Sequence, residues 1–135
     1  MDLDRDGCGL FWCAPAAPFD GAHVQRVASL LTETTEAYGY EPNIGLNCIS
    51  ERNINVTAAV IYDRDVAGED ERALACYHAL TGRVTQAGYY PYRLGTHGMT
   101  SLPPAQDDYG PILARLKQAL DPNGVLAPGR YEFST

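Results

Sequence analysis

Hydrophobic positions along the chain repeat with two different spacings, and the changes of spacing divide the sequence into elements. Residues 9–14 form a short apolar run that Pro15 and Pro18 end, which is typical of a buried strand followed by a loop. Segment 21–38 carries apolar residues every three or four positions, follows Asp20 as a capping residue and stops at a glycine. This pattern predicts an amphipathic helix.

Two β-rich runs follow, "PNIGLNCIS" and "INVTAAVIYD", and the polar residues "ERN" join them. The arrangement predicts an antiparallel hairpin. In the second run, polar side chains alternate with apolar ones, so one face of the strand is apolar and the other begins polar. The polar face is either solvated or lines a site. Its first members are Asn53, Asn55 and Thr57.

A second helix is predicted within "GEDERALACYHALTGRVTQAG", because acidic residues open it, apolar residues repeat at helical spacing, and Gly88 ends it. It leads directly into "YYPYR", where we expect a short strand through Tyr92 and Leu94.

The order strand, helix, strand, strand, helix, strand predicts an α+β fold of the ferredoxin-like, split βαβ kind. Two helices would cover one face of an antiparallel sheet, and the other face must be covered or functional. A loop, "SLPPAQDDYG", a third short helix ended by "DPNG", and an extended tail, "VLAPGRYEFST", would follow.

Composition narrows the classes of partner. The 135 residues suffice for one compact domain. A net charge of −7 argues against nucleic acid and anionic membranes, which require a basic face. No apolar run approaches the roughly eighteen residues of a membrane span, and the start lacks the order of a signal peptide, so we expect a soluble, cytoplasmic protein.

The four cysteines show no metal, haem or redox spacing and are predicted to be buried, reduced thiols.

Two stretches, "LKQALDPNGVLAPGRY" and "AGYYPYR", closely resemble the C-terminal part of the vanillyl-alcohol oxidase and 4-cresol dehydrogenase flavoprotein family, which includes eugenol oxidase. "YDRDVAGEDERA" and "DRDGCGLFWCAPAAP" are similar to family segments too, so the resemblance covers nearly the whole chain. It implies that residues 1–102 are part of a cap domain that covers the substrate. Residues 103–135 would be a helix and tail that return to an FAD-binding domain, which a separate polypeptide would have to supply, since no glycine-rich pyrophosphate-binding segment is present.

The resemblance also implies roles for particular residues. Tyr92 and Arg93 match a family pair that binds the oxygen of a para-substituted phenol and acts in catalysis. Arg93 would also face the pyrimidine edge of FAD, with its guanidinium plane held by the neighbouring aromatic rings. Arg130 matches a basic residue that lies against the flavin. The substrate cavity would be lined by Leu46, Cys48, Asn53 and Asn55.

From the residues alone, other interpretations stay open. A Tyr-Arg pair beside a proline is often an ordinary edge strand with the guanidinium stacked on a ring, Arg130 would be a solvated charge, and Leu46 and Cys48 would belong to the core.

Family members carry His or Tyr as a covalent flavin attachment near the strand that corresponds to "GCGLFWCAP", which holds neither, so we expect non-covalent FAD. Asn55 replaces a family histidine, for which His97 is a candidate substitute.

Two hypotheses of function therefore stand at this point. In the first, the chain is the cap and C-terminal part of an FAD-dependent oxidoreductase. It would remove hydride from para-substituted phenols by way of a quinone methide, it would be inactive alone, and a homodimer and a cytochrome electron acceptor stay open. In the second, it is a non-catalytic ferredoxin-like binding or dimerisation module. Exposed apolar surface on the isolated chain is expected in the first case.

Overall fold

The computed structural model describes residues 5–99, 101 and 108–130. These residues fall into two compact units that divide between Arg93 and Leu94. The predicted boundary between residues 102 and 103 lies outside the described residues, as does most of the predicted loop before the third helix.

A four-stranded antiparallel sheet forms the centre of the first unit. The longest strand, β4, pairs with β3 along one edge and with β1 and then β2 along the other. Cys13 is opposite Ala58 and Ala16 is opposite Asn55, so β1 and β2 pair with β4 in the same register. They form one strand line, called the β1–β2 line below, which is interrupted at the two residues between them. The strands are β1 (Cys8–Cys13), β2 (Ala16–Pro18), β3 (Asn43–Cys48) and β4 (Asn53–Asp63).

Two helices, α1 (Gly21–Ala37) and α2 (Glu69–Gln86), pack on each other and against β4, α1 also on β2 and α2 also on β1. Their apolar stripes and the apolar positions of the strands make one core. Burying a leucine or valine side chain contributes about 1.5–3 kcal/mol, so this layer accounts for the stability of the unit. Its fully buried members include Val27, Leu31, Val56, Val60, Leu80 and Val84.

The helix ends follow the local signals in the sequence. The Asp20 carboxylate accepts hydrogen bonds from the amides of Ala22 (2.9 Å) and His23 (3.3 Å), which caps α1. Gly88 adopts a left-handed conformation (φ 85°) where α2 ends, as a glycine stop predicts. In β1, a Cβ on Gly9 would lie 2.2 Å from the Tyr62 ring, so glycine is required where that ring crosses the strand.

The predicted fold class is confirmed: the sheet is antiparallel, and up to α2 the elements follow the expected order, with the first strand divided into β1 and β2. The predicted strand through Tyr92 and Leu94 is not formed. The expected fourth strand is reduced to a single bridge between Pro15 and Pro91, which adds the chain beyond α2 to the outer side of the β1–β2 line. Neither proline has a main-chain N–H to donate, which disfavours a longer ladder at this point.

The second unit contains a 3₁₀ turn (Thr96–Gly98), the helix α3 (Tyr109–Leu120) and the following residues up to 130. No side chain of α3 is buried. Among the described helices, none is both long and apolar enough to span a membrane.

The four cysteines are free thiols. No group of metal-binding side chains is found in the part of the chain that the structure describes. Cys13 and Cys76 are buried, and burial raises the pKa of the Cys13 thiol to about 12 and that of Cys76 to about 11. The expectation of burial is wrong for Cys48, which is exposed because it ends the edge strand β3.

Candidate functional site

The segment that carries Tyr92 and Arg93 is fixed by its main chain and by one buried neighbour. Tyr89 lies in the core, and its hydroxyl is 2.9 Å from Nδ1 of His23. Further along, the Ala16 amide donates to the Tyr90 carbonyl (2.9 Å) and the Tyr92 amide donates to the Ala14 carbonyl (2.8 Å). These hydrogen bonds hold the segment extended along the β1–β2 line up to Tyr92.

Tyr92 projects from the face of the sheet that the helices leave open. Side chains alternate between the two faces of extended backbone, so Tyr92 lies on the opposite side from Tyr89 and Pro91. Its pairing with Ala14 puts it on the same face as Trp12, two residues earlier in the line. Both aromatic side chains are more than half exposed, Tyr92 at 58% and Trp12 at 57%.

Arg93 is exposed at the end of this segment. Neither its guanidinium nor the Tyr92 hydroxyl hydrogen-bonds, ion-pairs or stacks with another group among residues 5–99, 101 and 108–130. The expected stacking of Arg93 on neighbouring rings is therefore not observed there. A guanidinium with five donors and no partner in the described part of the chain is available to an external anion.

A shallow groove of about 360 Å³ runs along the open face of the sheet. Its floor is small and partly polar, since Gly45, Thr57 and Ala59 lie at the centre, and Leu10, Trp12 and Ile61 give it an apolar side. Its remaining lining residues are Cys8, Asn43 and Asn47. A concave surface with an apolar side and a few amide groups is typical of a small-molecule site.

The four residues predicted to line a substrate cavity are not brought together. Leu46 and Cys48 pair with Val56 and Ile54, so they lie on the face that the helices cover, although both are exposed at its edge. The interpretation of these two residues as core is therefore wrong.

Asn53 and Asn55 belong to the opposite, open face. Asn55 is buried, with 5% of its surface exposed. Asn53 accepts a hydrogen bond from the Ser50 hydroxyl (3.3 Å) in the hairpin turn. Neither of them lines the groove, so their role in substrate binding stays a prediction.

Arg130 and His97 belong to the second unit. Both are exposed, and Nη2 of Arg130 donates to the carbonyl oxygen of Leu94 (3.4 Å), the residue that follows Arg93. His97 lies in the 3₁₀ turn.

Sequence analysis placed Thr57 on a face that is solvated or lines a site, but it missed Trp12, Asn43 and Asn47 as lining residues of the groove. "CGLFWC" is apolar on both faces of the strand, so its alternation gives no sign of which aromatic ring is buried. In the structure Phe11 packs against the core and stacks with Tyr62, and Trp12 is left on the open face. The signal that was present is the alternation in β4, which already places Thr57 on a polar face.

Comparison with known proteins supplies relatives, although a scan against protein-family models finds no match. The chain is 46% identical over 132 residues to 1'-carboxy-chondrochloren decarboxylase from Chondromyces crocatus, covering 98% of this chain and 24% of that protein. It is 31% identical over 130 residues to the flavoprotein subunit of 4-cresol dehydrogenase (hydroxylating) from Pseudomonas putida, covering 93% of this chain and again 24% of that protein. The chain therefore spans about a quarter of the length of these relatives.

Solved structures agree with this relationship. A substrate-bound crystal structure of p-cresol methylhydroxylase matches 93% of this chain, and 24% of its own, with a TM-score of 0.81 and 28% identity. The isoeugenol complex of 4-ethylphenol oxidase from Gulosibacter chungangensis matches 97% of this chain, and 26% of its own, with a TM-score of 0.81 and 21% identity, which speaks for the fold alone. The chain thus belongs to the vanillyl-alcohol oxidase and 4-cresol dehydrogenase family, of whose members it corresponds to about a quarter.

Proposed function

We propose that this chain is the cap and C-terminal part of an FAD-dependent oxidoreductase that oxidises para-substituted phenols, and that Tyr92 and Arg93 bind the phenol oxygen. The observation that carries the proposal is the exposed Tyr92-Arg93 pair. Its main chain is fixed, its polar groups have no partner among the described residues, and Tyr92 lies on the same sheet face as a groove. The relatives include enzymes named for 4-cresol and p-cresol.

The chemistry of phenols explains why such a pair is needed. A phenol ionises near pH 10, about three units above neutrality, and its side chain is oxidised more readily from the phenolate. A permanent positive charge close to the oxygen favours the ionised form, and a hydroxyl donor adds a hydrogen bond to it. Arg93 supplies the charge, because a guanidinium does not deprotonate in proteins, and Tyr92 supplies the hydroxyl.

The groove fits the rest of such a substrate. A volume of about 360 Å³ lies in the range of small-ligand sites, and the indole of Trp12 offers a flat apolar surface against which an aromatic ring can pack. The amides of Asn43 and Asn47 at the polar side would meet substituents of the ring.

FAD is the cofactor that this proposal requires, and two cationic side chains of the chain fit its anionic groups. When bound, FAD would accept the hydride that leaves the benzylic or allylic carbon, while the substrate becomes a quinone methide. Arg93 is an exposed cation that would lie at the flavin's pyrimidine edge, where added positive charge raises the reduction potential. Arg130, also exposed, would lie against the flavin. We propose that the FAD is non-covalent, because β1 carries neither His nor Tyr. Another polypeptide, or another part of a longer one, would supply the FAD-binding domain.

Decarboxylation is a second candidate reaction. The relative that is 46% identical over 98% of this chain is named as a decarboxylase. A substrate with both a phenol and a carboxylate is therefore the alternative to a simple alkylphenol. Release of carbon dioxide distinguishes the two reactions directly.

The test is reconstitution with a candidate FAD-binding polypeptide encoded nearby, or fusion to the FAD-binding part of the 4-cresol dehydrogenase flavoprotein subunit. Size-exclusion chromatography with detection of flavin absorbance reports FAD content and oligomeric state together. Turnover of 4-cresol, 4-ethylphenol and a carboxylated phenol is then measured with oxygen and with a cytochrome as electron acceptor. We expect a yellow complex that oxidises at least one phenol.

The informative variant is Arg93→Ala, with Arg26→Ala as the matched control, since Arg26 is an exposed arginine on α1. Arg93→Ala is expected to reduce turnover by at least a hundredfold, as loss of a charged donor to a developing anion does, and to leave the unfolding curve unchanged. If the reconstituted complex and the fusion protein both stay colourless, the proposal is contradicted and a non-catalytic binding module is favoured.

A further inference from the structure

The turn that follows α3 is built around one carboxylate. Oδ1 of Asp121 accepts a hydrogen bond from the Val125 amide (2.8 Å), and Oδ2 accepts one from the Leu126 amide (2.8 Å). Oδ2 also accepts a hydrogen bond from Nζ of Lys117 (2.6 Å), and the same ammonium donates to the Leu126 carbonyl. We call this set, the side chains of Lys117 and Asp121 with the main chain of Val125 and Leu126, the Asp121 clasp.

Among the described residues from α3 to residue 130, the buried side chain is the carboxylate of the clasp and not an apolar group. Asp121 is 7% exposed, whereas α3 before it has no buried side chain, and Val125 and Leu126 are both largely exposed. Three charge-assisted hydrogen bonds to one carboxylate are each stronger than neutral ones. The path of the chain out of α3 therefore depends on Asp121 rather than on hydrophobic packing.

The residues beyond the clasp adopt a conformation that needs such support. Gly124 and Gly129 have positive φ angles (62° and 73°), and so does Ala127 (43°), where a side chain makes the left-handed region unfavourable. Leu126 is fixed on one side of Ala127, and on the other the Arg130 amide donates to the Ala127 carbonyl (3.1 Å). The turn ends with the Arg130 side chain on the Leu94 carbonyl.

We propose that Asp121 is a positioning residue, which holds residues 124–130 in the one path that presents the Arg130 guanidinium to the flavin. The proposal rests on the function proposed above, in which Arg130 lies at the flavin. It adds a residue that never touches cofactor or substrate and acts through the main chain of Val125 and Leu126.

Electrostatics makes the clasp permanent under ordinary conditions. The ammonium of Lys117 and the amides of Val125 and Leu126 lower the pKa of the Asp121 carboxyl from 3.8 to about 2. The carboxylate is therefore ionised, and the clasp is closed, throughout the neutral range.

The first test needs only the chain itself. Hydrogen exchange of the Val125 and Leu126 amides is compared in wild type, Asp121→Ala and Asp108→Ala. Asp108 is the matched control because it precedes α3 without making a side-chain capping bond. We expect exchange of both amides to be at least tenfold faster in Asp121→Ala and unchanged in Asp108→Ala, as loss of a charged hydrogen bond predicts. Equal protection in all three proteins would overturn the clasp.

The second test uses the flavin-loaded complex and a double-mutant cycle on the dissociation constant for FAD. Arg130→Ala and Asp121→Ala are each expected to weaken FAD binding about tenfold, and the double variant to be no weaker than either alone. Asp121→Asn, which keeps one carbonyl acceptor, is expected to fall between wild type and Asp121→Ala. A merely structural role would instead give additive losses, which would overturn the proposal.

The two levels of the account fail in different ways. If no flavin binds to any complex, the proposed function fails while the exchange experiment still decides whether the clasp exists. If flavin binds and Arg130→Ala has no effect, the flavin contact of Arg130 and the positioning role of Asp121 are both overturned, while phenol binding by Tyr92 and Arg93 stands. If Asp121→Ala frees the amides and leaves FAD binding intact, only the positioning role is overturned.

Discussion

Different forces stabilise the two units of the chain, each within itself. In the first unit, side chains from β1, β4, α1 and α2 make a core whose central members are fully buried. In the second unit, α3 has no buried side chain, and a carboxylate and an ammonium organise the turn that follows it. Hydrophobic burial thus fixes the fold that presents Tyr92 and Arg93, whereas local charge fixes the segment that presents Arg130.

The largest expected effect comes from making the same leucine-to-alanine substitution in each unit and comparing the free energies of unfolding. Leu80→Ala removes a buried leucine from α2 and is expected to lower the free energy of unfolding by about 2–5 kcal/mol. Leu120→Ala, at the exposed end of α3, is expected to change it by less than about 0.5 kcal/mol. Urea unfolding followed by circular dichroism measures both, and similar losses would show that α3 is packed as tightly as α2.

A smaller effect compares the starts of the helices. Asp20 accepts two amide hydrogen bonds at the start of α1, so Asp20→Ala is expected to cost about 1 kcal/mol. Asp108→Ala at the start of α3 removes no such bond and is expected to be close to neutral. The same unfolding curves report both values, and a larger loss in Asp108→Ala would reverse the comparison.

The smallest effect concerns pH and is confined to the second unit. The folded pKa of Asp121, about 2, lies below its ordinary value of 3.8, because the Lys117 ammonium and two amides favour the carboxylate. The stabilisation is therefore complete above about pH 4 and is lost as the pH falls towards 2. Lys117→Met removes the largest cause and is expected to raise the pKa of Asp121.

The chemical shift of the Asp121 carboxyl carbon, measured by NMR against pH, gives the titration midpoint in wild type and in Lys117→Met. A midpoint at the ordinary value in wild type, or no increase in Lys117→Met, would show that the clasp is open in solution.

Local features of the fold could be predicted from the sequence because local residues cause them. The cap at Asp20, the acidic start of α2 and the glycine stop at Gly88 act within one turn of helix, and all three are found where the pattern puts them. The hairpin was also predictable, since its two strands are adjacent in the chain.

Features that depend on register or on distant pairing could not be predicted. Whether Leu46 and Cys48 share a face with Asn53 and Asn55 depends on the path of the hairpin turn, and the observed register puts them on opposite faces. The bridge between Pro15 and Pro91 joins residues far apart in sequence. Asp121 looked like a helix stop, because a sequence pattern does not show which amides its carboxylate meets.

The ionisation of a bound phenol tests the central claim most directly. A complex loaded with FAD is mixed with 4-tert-butylphenol, which has no benzylic hydrogen to lose, and the ultraviolet absorbance of phenolate is followed against pH. We predict that the bound phenol is ionised at neutral pH in wild type and in Arg26→Ala, and that Arg93→Ala returns its pKa to about 10. A bound phenol that stays neutral in wild type, or that ionises equally in Arg93→Ala, would contradict the role of Arg93 as the phenolate cation.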